Sequence, residues 1–253
     1  MRKLQALMRL VFILSIFFFA FSIHVNAQTT HAQESWWDYL NQNRYSEKWG
    51  SWLDVQLKLI DGYTHQKNAG EYTGGASYFA SANFKYTAAF TYVDGYPNGA
   101  HVNHTAELRP WAMVQLNTNN HYSKWLQWLR VEDRFKDTSQ NKVGTGDFDA
   151  STRLRYYVLA QFPLNNKHKY EKGTFSFVTS EELYLNFGKN IVYNTFDQNR
   201  LFVGFFYYLN KSNILQLGYT NLYQKYNAPN RFLQSDVLRV SVFNNIDFRS
   251  RAN

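Results

Sequence analysis

Between Trp52 and Phe248 apolar and polar residues alternate with a period of two, in about ten separate runs. The clearest run is Trp52 to Ile60. Leu53, Val55, Leu57 and Leu59 fall on one phase, and Asp54, Gln56 and Lys58 on the other. A helix would scramble these two sets, whereas a strand sends them to opposite faces. The same reading predicts strands over 72–82, 84–93, 104–116, 125–135, 151–162, 174–187, 198–209, 214–224 and 236–248. Their lengths are close to the roughly nine to eleven residues with which a tilted strand crosses a bilayer. The connections sort by length. Those near 61–71, 94–103, 136–149, 188–197 and 225–235 are longer than those near 83, 117–124, 163–173 and 210–213. This alternation predicts a barrel with an even strand count, short turns and both termini at one end, and long loops at the other. The connection over 136–149 is then expected outside the cell.

Three positions disturb the pattern. Pro110 sits inside a strand, where it removes a ladder hydrogen bond and predicts a bulge. Asp133 and Glu181 fall on the apolar phase; Asp133 is expected near a head-group girdle, and Glu181 to be turned by a register slip beside Glu182. Trp36, Trp37 and Tyr39 precede the first predicted strand. They are expected to anchor a short N-terminal segment, about 28–48, at the periplasmic interface.

The start of the chain adds a destination. Arg2, Lys3 and Arg9 precede an apolar run from Leu10 to Ile23, and Val25-Asn26-Ala27 offers a small-x-small cleavage site before Gln28. That is the layout of a secretory signal peptide over 1–27, leaving one domain over 28–253. Aromatics are 19% of the chain although the mean hydropathy is −0.49. A barrel with lipid outside and water inside accommodates both numbers. There is no cysteine, so neither a disulfide-stapled scaffold nor a lipid anchor on cysteine is available. The formal charge of +8 falls to about +5 once the three leader cations leave, and the remaining cations are dispersed. That dispersal argues against a nucleic-acid surface. Membrane lipids and lipopolysaccharide are the expected partners, with small anionic solutes if the lumen conducts.

The inward phase collects Asp54, Lys58, Lys85, Glu107, Arg109, Arg130, Glu132, Arg134, Arg153, Arg155, Glu182, Arg200, Arg239 and Asp247. Neighbouring strands bring Glu107 and Arg109 beside Arg130, Glu132 and Arg134, and these beside Arg153 and Arg155. Two readings stand: an ion-pair ladder that fills a narrow lumen, or a charged eyelet that selects solutes. An enzyme is not expected. The histidines lie mostly in connections, and the best acid–base pair, His104 with Glu107, is three residues apart on a strand and so splits across its faces. His101 and His104 are closely spaced but make a weak metal site, and no cofactor motif is present.

The stretches Trp36-Trp37-Asp38-Tyr39-Leu40-Asn41, Trp52-Leu53-Asp54-Val55-Gln56, Glu107-Leu108-Arg109-Pro110-Trp111 and Arg130-Val131-Glu132-Asp133-Arg134-Phe135 resemble an uncharacterised bacterial family, domain of unknown function 2490. Arg153-Leu154-Arg155-Tyr156, Glu181-Glu182-Leu183-Tyr184-Leu185-Asn186 and Gln198-Asn199-Arg200-Leu201-Phe202-Val203-Gly204 extend the likeness over nearly the whole mature chain. The resemblance implies an exported, outer-membrane-barrel-like protein of Gram-negative bacteria, typical of the Bacteroidetes, and carries no catalytic residues with it. The expected fold is an all-β antiparallel transmembrane barrel of about ten strands with a narrow charged lumen, present as a monomer in the outer membrane. The alternatives are a soluble periplasmic β-barrel that binds a lipid or other apolar ligand, and a small outer-membrane lipid-modifying enzyme.

Overall fold

The computed structural model describes residues 28–96, 105–120, 122–138, 148–165 and 170–249. The expected signal peptide, His101, His104 and most of the 136–149 connection lie outside them. The described chain closes into one barrel of eleven strands. They are β1 (Gln28–Arg44), β2 (Trp49–Ile60), β3 (Gln66–Phe79), β4 (Phe84–Gly95), β5 (Thr105–Asn119) and β6 (Lys124–Asp137), followed by β7 (Phe148–Pro163), β8 (Phe175–Phe187), β9 (Phe196–Tyr208), β10 (Asn213–Lys225) and β11 (Arg231–Asp247). Each strand pairs antiparallel with the next, and β1 closes the barrel by running parallel to β11, from Gln28 opposite Arg231 to Arg44 opposite Asp247.

The all-β barrel agrees with the sequence pattern, and the even count does not. The segment expected to precede the barrel is itself a strand. β1 escapes pattern recognition because neither of its faces is an apolar stripe: Trp36 and Asp38 are buried inside, while Ser35, Asn41 and Asn43 share the outer phase with Trp37 and Tyr39. An odd number of strands can close only through a parallel pair, so the two ends of the described chain lie at opposite ends of the barrel. The loop sorting survives. The connections 61–65, 96–104, 138–147, 188–195 and 226–230 share one end with Gln28, and 45–48, 80–83, 120–123, 164–174 and 209–212 share the other with Asp247. All of this second set except 164–174 are four residues long.

Polarity is turned inside out relative to a soluble domain. Exposed on the outer face are Leu53, Leu57, Phe90, Leu129, Val131, Leu183, Val203, Leu217 and Leu238, while Lys58, Glu107, Arg109, Glu132, Arg153 and Glu182 are buried within. Paired rings cluster toward the strand ends: Trp49 with Tyr78 and Phe175 with Phe205 at the short-turn end, Tyr223 with Phe232 at the other.

The irregularities fall elsewhere than expected. At Pro110 the β5–β6 pairing skips two residues between Leu108–Phe135 and Trp111–Glu132 but resumes in the same register, so the missing N–H costs ladder bonds without making a bulge. Glu181 keeps its outward phase with no slip beside Glu182, and accepts a hydrogen bond from the Asn199 amide at 2.9 Å. Asp133 also faces out and accepts one from Thr152 at 2.7 Å. Register shifts occur instead at Lys58/Leu59 and Tyr184/Leu185. Inside, Gly204 and Gly218 oppose each other across β9 and β10, and a Cβ on either would sit 2.5 Å from the Phe202 ring. Their bare backbone is what lets that ring lie flat against the barrel wall.

Candidate functional site

Small barrels fill their interiors with side chains, and here the filling is built from charge. Glu132, on β6, is fully buried. It accepts from Arg153 Nε at 2.6 Å and from Arg155 Nη1 at 3.2 Å, and forms an ion pair with Arg130 Nη2 at 2.6 Å. Arg155 also donates to Glu182 Oε1, at 2.5 Å from Nη2 and 2.8 Å from Nε, and to the Tyr184 hydroxyl at 3.0 Å. Arg153 reaches on to Asp197 at 3.0 Å. One carboxylate shared by three guanidinium groups, two of which hold second carboxylates, forms a continuous charge-assisted network.

A second network centres on Glu107. Arg109 binds it in bidentate fashion, at 2.7 and 3.0 Å, and Arg134 does the same at 2.5 and 3.2 Å. Arg109 continues to Glu71 at 3.5 Å, and Glu71 to Lys58 at 2.5 Å. A third set joins Asp38 to Arg239 at 2.7 Å, to the Ser241 hydroxyl at 2.8 Å and to Gln56.

The inward residues expected to form one ladder are therefore brought together as two networks. Trp111 stands between them. It pairs in register with Glu132, the Arg130 guanidinium lies 4.0 Å above its ring, and its indole N–H donates to Thr91 at 2.9 Å. Arg200 joins neither network: among the described residues no carboxylate lies within ion-pair distance of it. Its guanidinium rests on the faces of Trp36 and Tyr184, at 4.6 and 4.7 Å, where ring quadrupoles attract a cation. Of the other inward charges, Lys85 donates to Gln42 at 2.5 Å and lies over Trp52, and Asp247 is exposed at the end of β11 beside Arg249.

Four residues of this interior escape the sequence pattern. Trp36, read as an interface anchor, is 1% exposed at the centre of the lumen, and Asp38 follows it on the unrecognised strand. Glu71 lies one residue before the predicted start of its strand. Asp197 is the extra residue of the bulge opposite Tyr184/Leu185, and that bulge turns its carboxylate inward onto Arg153. For Glu71 the inward spacing of Glu71, Thr73 and Ser77 was an available signal; for Asp197 there was none.

Below the networks, toward the short-turn end, the lumen widens into a vestibule of about 550 Å³. Arg130, Arg155, Arg200 and Arg239 form its floor, and exposed Ala82, Asn83, Asn119 and Asn245 its rim. One wall is apolar: Leu159, Phe202, Phe206, Tyr208, Ile214 and Phe243. The facing wall carries Gln42, Asp54, Gln56, Gln115 and Asn117. Tyr170, from the 164–174 connection, packs on Tyr208 with the Lys124 ammonium 3.4 Å from its ring centre. Burial pushes its phenol up to about 12, with the neighbouring Tyr208 adding to the shift.

Glu107 is committed to two arginines, and His104, its expected acid–base partner, lies outside the described residues. No cluster of three or more potential metal ligands occurs among the described residues. The family model described as "Protein of unknown function (DUF2490)" matches residues 33–233. No curated protein and no solved structure matches the chain.

Proposed function

The chain belongs to the DUF2490 family of proteins of unknown function, and from that premise we propose that it is an outer-membrane β-barrel with an ion-paired, plugged lumen. Its role on this reading is structural, or that of a very narrow pore, and not enzymatic. One observation carries the proposal: the apolar side chains point out and the charges point in. Leu217 is 56% exposed and Leu53 46%, while Glu132 is wholly buried. A soluble barrel that carries an apolar ligand has the reverse polarity, and in water this outer face would be an aggregation surface far larger than a monomer tolerates. Ring pairs near both ends suit the two interfaces of a bilayer. Lipids and lipopolysaccharide are then its natural partners. The test is fractionation of cells expressing the protein. It should stay with the outer membrane through a high-pH wash and require detergent for extraction. Recovery in the soluble periplasm without detergent would overturn the proposal.

A further inference from the structure

We infer that the vestibule is a binding site for a single-chain amphiphile with an anionic head, such as a medium-chain carboxylate. Its volume of about 550 Å³ falls in the roughly 300–1,000 Å³ range of small-molecule pockets. The two ends of such a ligand match two different surfaces. The continuous apolar wall of Phe202, Phe206, Ile214 and Phe243 offers a hydrocarbon tail the burial that water denies it.

The floor asks for negative charge. Seven cations line the cavity; five of them hold carboxylates within ion-pair distance, and Arg200 and Lys124 hold none among the described residues. The hydrogen-bond ledger leans the same way. The buried side-chain nitrogen and oxygen atoms of cavity-lining residues without a hydrogen-bond partner among the described residues are Trp52 Nε1, Arg130 Nε and Arg200 Nε, and all three are donors. An interior with donors to spare and two cations without ion-pair partners is completed by an acceptor that carries charge. The polar facing wall and the exposed asparagine rim keep the entrance wet, so the head group crosses hydrated surface before it reaches the arginines. None of this depends on where the barrel resides, so failure here would leave the membrane proposal untouched.

Equilibrium dialysis of the folded protein in a non-ionic detergent, with protein-free micelles as reference, tests the site using radiolabelled decanoate and decanol. Decanoate should saturate at one per chain and bind at least ten-fold more tightly than decanol. Arg200→Gln should weaken decanoate at least ten-fold and change decanol less than two-fold, whereas Phe206→Ala should weaken both. Inorganic phosphate alone should compete only weakly. Equal binding of the acid and the alcohol, unsaturable uptake, or an Arg200→Gln variant that binds decanoate normally would each overturn the inference. Should Arg200→Gln fail to fold, the acid-to-alcohol ratio on the unaltered protein decides, and a ratio below ten overturns it.

Discussion

Glu132 shows how a buried charge is made tolerable at the level of one residue. A carboxylate removed from water costs several kcal/mol, and only near-complete pairing offsets it. Its three arginine partners are unequal. Arg153 keeps Asp197 and Arg155 keeps Glu182 if Glu132 is removed, but Arg130 has no other carboxylate within ion-pair distance among the described residues. Glu132→Ala should therefore cost about 3–5 kcal/mol, chiefly through the stranded Arg130. Adding Arg130→Met should recover part of that loss, because it removes the orphaned charge. Denaturant unfolding of the refolded barrel reads both effects. Single-channel recording of the same variants should show low conductance that Glu132→Ala barely changes. A variant of normal stability with raised conductance would show instead that water fills the lumen.

Among the elements, β9 and β10 show how two strands shape a cavity through what they omit. Gly204 and Gly218 face each other inside the barrel, and Phe202 fills the space that two side chains would have taken. Gly218→Val drives a branched side chain into the Phe202 ring and the Val203 carbonyl, each 2.5 Å from the first added carbon. A loss of about 1–3 kcal/mol is expected from such overpacking. Gly74 is the matched control: it lies on the outer face of β3, with nothing within 4 Å of an added Cβ. Gly74→Val should leave the unfolding midpoint nearly unchanged. Equal effects at the two sites would mean that strand propensity, not the Phe202 contact, governs these glycines.

For the molecule as a whole, the parallel seam between β1 and β11 has a topological consequence. Gln28 lies at the long-loop end and Asp247 at the short-turn end. If the short turns face the periplasm, as is usual for bacterial barrels, the start of β1 faces outward. An epitope tag inserted just before Gln28 should be reached by antibody on intact cells, as should one within 138–147, while one in 209–212 should not. Labelling at 138–147 without labelling before Gln28 would show that β1 leaves the barrel and that closure is even-stranded after all.

The period-two pattern by itself determined the strand class, ten of the eleven strands and the sorting of connections by end, and it set Lys58, Glu107, Arg109, Glu132, Arg153 and Glu182, though not Asp38, Glu71 or Asp197, on the phase that is buried. Side-chain direction in a strand is local, so each of these follows from the order of residues along one short segment. Tertiary structure alone decided what depends on partners distant in sequence. β1 is a strand because β11 and β2 supply its hydrogen bonds, not because its own residues alternate apolar with polar. Trp36 is central because Arg200 and Lys58, from other strands, lie over its ring. Asp197 faces Arg153 because a bulge inserts one extra residue. Trp111 divides the expected ladder in two because cross-strand register sets it level with Glu132. Register and closure come from pairing around the whole barrel, and a single strand's sequence does not contain them.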